Sequence, residues 1–236
     1  MTMALLLDAS LVVLVFAVAV WTVAVRDSFA AVIGYAIYGL LLALVWVRLA
    51  AIDAALTEAA MGGGLTGVLL IRAAVRLRPT EPAARAELPG PLPRIAAALL
   101  SGIVTIALAA VVLTLPDPAP TLAPQVAEHI ATTGLGNAVT AVLLAFRATD
   151  TLLEAVVLIF ALLAVWALTP DDLWGGRPGP RYDIDRHGLL AYLARLLPPL
   201  GIIVGIYVFW VGADLPGGKC QAGTLVAARW LLASMA

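Results

Sequence analysis

The sequence predicts an all-α membrane protein, a polytopic helix bundle of about seven transmembrane spans with its N-terminus outside. Two observations carry that expectation. Hydrophobic residues make up 63% of the 236 residues and charged residues 12%, and the mean hydropathy is +1.04, whereas a soluble domain holds about a quarter charged residues. Apolar runs of roughly 17 to 21 residues, long enough to cross about 30 Å of hydrocarbon, recur along the chain.

The same composition excludes several function classes. The net charge is -1 and the arginines are scattered over loops, so no nucleic-acid partner is expected. Cys220 is the single cysteine, which rules out an internal disulfide and a cysteine-rich metal or iron–sulfur cradle. His129 and His187 stand apart in or beside loops and give no metal signature; no cofactor is expected. The opening "MTMALLLDAS" carries an acid and no basic stretch, and reads as a retained first span rather than a cleaved signal peptide.

The spans are expected at Leu5 to Val25, Ala30 to Val47, Asp53 to Ala74, Ile95 to Leu115, Thr149 to Leu168, Gly188 to Val211, and a short last one from Gln221 to Ala236. Proline and glycine punctuate the breaks, in "RPTEPAARAELPGPLPR", "PDPAPTLAP" and "TPDDLWGGRPGPRYDIDRH". Arg72, Arg76, Arg78, Arg85 and Arg94 follow the third span, and Arg177, Arg181 and Arg186 follow the fifth, which puts both loops in the cytoplasm. The stretch Pro116 to Phe146 holds no Lys or Arg and reads as an outer loop. Trp21, Trp166 and Trp230 fall near inner ends, Trp46 and Trp210 near outer ends, as interfacial belts do.

The third span holds the first chemical feature, "DAALTEAAMGGGLTGVLL". Glu58 lies about five residues below Asp53, so at ~1.5 Å per residue it is roughly 7 to 8 Å down the helix. A charged group at mid-membrane costs on the order of 2.5 to 3.5 kcal/mol on insertion scales. Burial disfavours the ionised form, which suits a group that binds and releases a proton; the plainer reading is a neutral Glu that ties two helices together. Gly62, Gly63, Gly64 and Gly67 remove side chains just below it, with Gly63 and Gly67 in the small-xxx-small spacing that lets a neighbouring backbone approach. They also weaken the helix and predict a local bulge or unwinding.

The fifth span repeats the theme. Arg147, Asp150 and Glu154 sit at i, i+3 and i+7, on one face of a helix, and Glu154 lies below Asp150 much as Glu58 lies below Asp53. Two carboxylates at matching depth form stations of a lateral path, with Arg147 as counter-charge at the outer mouth; the alternative for Arg147 and Asp150 is an interfacial anchor. Asp8 is near enough to the outer surface to be solvated. Pro198 and Pro199 remove helix donors in the sixth span and predict a kink. "LPGGKCQAG" is a glycine-rich outer turn without phosphate-loop spacing.

These stretches carry a family resemblance. "DAALTEAAMGGGLTGVLLIRAA" resembles the three-helix D-type unit of membrane-bound hydrogenase, which also forms part of the C-terminal region of the large subunit of Mrp multisubunit cation/proton antiporters. "GNAVTAVLLAFRATDTLLEAVVLIFALLAVWAL" is similar to the E-type unit that follows it, with its Arg-Gly-x-Asp-Thr-Leu-Gly-Glu run, and "RLLPPLGIIVGIYVFWVGADLPGGKCQAGTLVAA" resembles the opening of the Mrp B subunit, with its Ser-Pro-Gly-Gly-Gly-Phe-Gln turn. The resemblance implies that Glu58 and Glu154 match the family's membrane carboxylates for cation or proton passage, and Arg147 and Asp150 its Arg and Asp. Ala148 and Leu153 replace the two glycines of the E-type run, and Lys219 and Cys220 stand where the B-type turn has Gly and Phe.

The resulting organisation is a D-type unit over 1–78, a cytoplasmic linker over 79–93, an E-type two-helix unit with an outer loop over 94–170, a cytoplasmic loop over 171–187 and a partial B-type two-helix unit over 188–236. The resemblance implies an accessory subunit of an Mrp-like, complex-I-related assembly in a bacterial or archaeal cytoplasmic membrane, a transporter subunit rather than an enzyme. No span carries a buried lysine, as the resemblance implies that the large antiporter-like subunits do, so such subunits are expected partners. The bilayer, monovalent cations and protons complete the set. Two rivals remain: a membrane-arm subunit of a redox-driven pump, and a scaffold whose carboxylates only lock helices.

The arginine pattern predicts that a cysteine placed at Ala84, in a Cys220→Ser background, is shielded from an impermeant thiol reagent in intact cells. Labelling there would overturn the orientation.

Overall fold

The computed structural model describes residues 2–86, 90–171 and 189–235, and among these every regular element is helical. Helix α1 (Thr2–Ala24) is apolar along most of its length, Asp8 being its one charged residue. It packs antiparallel against α2 (Ser28–Arg48), which starts where the Asp27 carboxylate accepts from the Ala30 N–H at 2.7 Å. At the far end of the pair Arg48 meets Asp8 through two hydrogen bonds, of 2.6 and 2.9 Å. Asp8 is therefore ion-paired as well as half-exposed. Helix α2 closes with Ala50 in the left-handed place usually filled by glycine (φ 57), while the Ala51 N–H donates back to Trp46 at 2.9 Å.

The third span is one continuous helical run over Ile52–Ala83 with a change of pitch inside it. It comprises α3 (Ile52–Thr57), a π-helical segment (Glu58–Leu65), α4 (Thr66–Leu77), a 3₁₀ turn (Arg78–Thr80) and α5 (Glu81–Ala86). The glycine triplet explains the widening. A Cβ at Gly64 would stand 2.7 Å from the Ala59 carbonyl oxygen, and the Thr66 N–H reaches back five residues to Met61, the spacing of a π-turn.

The widened segment lies directly on α2. A Cβ on Gly39 would come within 2.6 Å of the Gly63 nitrogen, and one on Gly63 within 3.0 Å of the Ala36 carbonyl oxygen. Gly67 faces the Ala36 methyl at 3.2 Å by the same measure. The two backbones touch because neither side supplies a side chain there. At the other end of the unit the Ser28 N–H and hydroxyl both donate to Glu81, at 3.1 and 2.8 Å.

Helix α6 (Pro91–Thr114) follows and buries no residue within the chain. The stretch expected as an outer loop is instead largely helical. Helix α7 (Ala123–His129) continues as a 3₁₀ turn to Thr133, and α8 (Ala138–Ala141) continues as a π-turn over Val142–Phe146; the two halves are bent by 85°. Gly134, left-handed at φ 69, ends the first half, and the Asn137 side chain caps the second by accepting from Val139 and Thr140. Sequence periodicity missed the pair because Glu128, His129, Gly134, Gly136 and Asn137 interrupt any long apolar window.

Helix α9 (Ala148–Leu168) buries no residue within the chain, and α10 (Leu189–Val211) runs as one helix through Pro198 and Pro199. Helix α11 (Lys219–Met235) folds back on α10 along Gly201 and Gly205, where a Cβ on Gly205 would meet Val226 at 3.3 Å. Six described helices are long and apolar enough to span a membrane, or seven with the bent pair. The bent pair Ala123–Phe146 is thus a candidate that the hydropathy runs did not mark. Arg177, Arg181, Arg186 and His187 of the expected inner loop lie outside the described residues.

The contact between α2 and the π-segment predicts that Gly39→Leu and Gly63→Leu each lower the yield of assembled protein on native gels, by steric exclusion. Val68, 40% exposed, should accept Leu without loss. Full assembly of both glycine variants would show that the backbones need not touch.

Candidate functional site

The segments expected near the outer surface converge at one end of the structure, around Asp53. Its Oδ1 accepts the Gly217 N–H at 2.9 Å, and its Oδ2 accepts from Asn137 Nδ2 at 3.2 Å. The same Asn137 amide nitrogen donates to the Leu215 carbonyl at 2.9 Å. The N–H groups of Gly136 and Asn137 both donate to the Ala213 carbonyl, at 3.1 and 3.0 Å. Gln221, buried, donates to the Thr57 hydroxyl at 2.8 Å and to the Asp53 carbonyl at 3.3 Å, and the Thr140 hydroxyl donates to Gly212. One aspartate and its neighbours therefore tie together three segments far apart in sequence. Gly217 and Gly218 make the turn feasible, with φ of 153 and 140 that residues with a side chain rarely adopt.

Below this clamp opens a cavity of about 1040 Å³, walled by the start of the third span, by α8 and its π-turn, and by the turn from α10 to α11. Trp46 and Trp210 stand on its wall with Glu58, Lys219 and Cys220. Glu58 begins the π-segment, is half-buried, and lays its carboxylate where a side chain on Gly62 would stand. Among the described residues it has no hydrogen-bond or ion-pair partner.

Glu154 has partners. Its Oε2 is 3.1 Å from Lys219 Nζ, and its Oε1 accepts the Cys220 thiol at 3.3 Å. Arg147 pairs with Asp150 at 2.8 Å; both are exposed and neither is on the cavity wall. The sequence-predicted residues thus separate. Asp53 and Glu58 share the cavity, Glu154 reaches it through Lys219 and Cys220, and the Arg147–Asp150 pair stays on the surface. Gly63 and Gly67 face α2, whereas Gly62 and Gly64 make room for groups of their own helix.

Asn137, Gln221 and Thr57 were not anticipated. The "GLGN" before an apolar run was a readable cap signal, but nothing local announces that its Asn also serves Asp53. Among the described residues no group of three His, Cys, Asp or Glu gathers to hold a metal ion. His129 Nδ1 bonds only the Gln125 carbonyl of its own helix, at 2.9 Å.

Comparison with known proteins finds two partial family matches. The MbhD family, the D subunit of MBH, matches residues 13–79, and the domain related to the MnhB subunit of Na+/H+ antiporter matches residues 189–236. The structure of the Mrp complex from Dietzia sp. DQ12-45-1b superposes with a TM-score of 0.69 and 25% identity over 94% of this chain. Over the two family-matched regions the chain is similar to subunits of the MBH and Na+/H+ antiporter assemblies. It spans 25% of the length of the Mrp-complex chain that it matches. No curated protein matches the sequence. The MbhD-matched region contributes Asp53 and Glu58, and the MnhB-related region contributes Lys219, Cys220 and Gln221. The cavity therefore lies where the two meet, closed by the bent pair between them.

Removing the Asp53 carboxylate leaves the Gly217 N–H and one Asn137 donor unsatisfied, which costs about 1–3 kcal/mol per buried group. Asp53→Ala should lower the melting temperature of the detergent-solubilised protein, and Asp53→Asn, which keeps one acceptor for Gly217, should lower it less. Equal stability of Asp53→Ala and the parent would refute the clamp.

Proposed function

We propose that this Mrp-type chain is an accessory transmembrane subunit that contributes a lateral path for monovalent cations or protons through Glu58 and Glu154, in a complex-I-related assembly of the cytoplasmic membrane of a bacterium or archaeon. The observation that carries the reading is Glu58, a carboxylate without a partner among the described residues, on the wall of a cavity that is also lined by Lys219 and Cys220, the two partners of Glu154. A carboxylate held in a membrane span without a counter-charge is costly unless it takes up a cation or a proton. Asp53 holds the mouth in shape, and the Arg147–Asp150 pair lies at the start of α9 outside the cavity wall. Large antiporter-like subunits would supply the rest of the route, so the chain works as a transporter component and not as an enzyme.

A second reading has an observation of its own. The D-type match is to a component of MBH, which favours a place in the membrane arm of a redox-driven pump. Co-purification with soluble iron–sulfur subunits would decide for it.

In inverted vesicles, Glu58→Gln and Glu154→Gln should each abolish or sharply reduce ion-coupled transport while the complex still assembles, because Gln keeps shape and hydrogen bonding but cannot ionise. Asp at either position should retain part of the activity. Normal transport in the double Gln variant would end the pathway reading. If Gln is harmless and Ala disrupts assembly, the carboxylates only lock helices.

A further inference from the structure

Lys219 is the only lysine of the chain, and it stands at a position where the turn it resembles carries glycine. Its side chain is 45% exposed, but the ammonium is engaged. It lies 3.1 Å from Glu154 Oε2, on a carboxylate whose other oxygen accepts the Cys220 thiol. Lys219 also forms part of the cavity wall, whereas Glu154 does not. The ammonium thus links the cavity wall to Glu154.

We propose that Lys219 is a tethered competitor for the cation place on Glu154, and so sets the cation affinity of the path; this rests on the proposed route through Glu58 and Glu154. An ammonium is a monovalent cation on a flexible four-carbon stem with three donors, so it can occupy the carboxylate as a free ion would and leave without breaking the fold. The backbone around it is held independently of its charge. Gly217 is fixed by Asp53, and Gln221 by Thr57, on either side of Lys219. When an incoming ion displaces the ammonium, it returns to the cavity. There Asp53 is already engaged by Gly217 and Asn137, and Asp214 accepts from Gly136 at 3.3 Å. Among the described residues Glu58 is the acid of that wall without a partner, and it is the group able to receive the displaced charge. Arg147 and Asp150, the other charges at the start of α9, neutralise one another at 2.8 Å.

The test uses the whole assembled complex in inverted vesicles, with transport titrated first by Na+ and then by K+, and assembly checked on native gels. Lys219→Met keeps length without charge, and should lower the half-saturating concentration of the transported cation by about fivefold, the worth of one partly exposed ion pair. Lys219→Arg, a stronger fork-like partner for a carboxylate, should raise it. Unchanged half-saturation in both variants overturns the proposal, as does loss of transport in Lys219→Met with assembly intact, since the ammonium would then carry the step rather than compete with it. If Lys219→Met fails to assemble, the direction of the Lys219→Arg shift decides alone. Glu154→Gln separates this inference from the one beneath it: inactive Glu154→Gln with unmoved Lys219 variants removes only the competitor role, and active Glu154→Gln removes both. Transport that depends on neither cation also overturns the competitor.

Discussion

The Asp53 carboxylate is the interaction on which the arrangement of this chain depends. Its two oxygens accept one backbone N–H from the turn between α10 and α11 and one amide donor from the cap of α8. Elements that would otherwise meet only lipid are thereby held at one end of the third span. In a membrane, apolar side chains gain nothing by leaving lipid for each other, so polar contacts and close packing must provide the specificity. This chain follows that rule. Helices α6 and α9 bury no residue within it, while the polar contacts gather around Asp53, Asn137 and Gln221.

The second determinant is the missing side chain. Gly39 and Gly63 bring α2 and the π-segment into backbone contact. The same triplet that permits this also widens the helix beside Glu58. Gly62 leaves the volume in which the Glu58 carboxylate lies, so the acid can fold along its own helix at the edge of the cavity. A regular helix with alanines at these positions would close both gaps at once. Helix widening and carboxylate placement are thus two consequences of one local composition, as π-turns at functional positions often are.

Electrostatics then distinguishes the two membrane carboxylates. Glu154 has an ammonium and a thiol at its oxygens, both contributed by α11, and Glu58 has neither. A paired and an unpaired acid within reach of one cavity differ in their readiness to take a cation.

Much of this was legible from sequence alone. The hydropathy runs placed six of the spans, the Glu58 and Gly62–Gly64 pattern marked the irregular helix, and the first and third quoted stretches fall within the matches at residues 13–79 and 189–236. These features are periodic or local, and each is written within a few residues of chain. What the sequence did not display was Ala123–Phe146 as a bent helical pair, the clamp of Asn137 and Gln221 on Asp53, and the pairing of Lys219 with Glu154. Asn137 and Asp53 are 84 residues apart and Lys219 and Glu154 are 65 apart, by their numbers. No local pattern encodes contacts at such separations. The sequence by itself determined six of the stretches long and apolar enough to enter a membrane, because transfer of an apolar run into lipid depends on that run alone. Only the tertiary structure decided which acid keeps a partner, because a counter-charge is supplied by whichever remote segment folds against it.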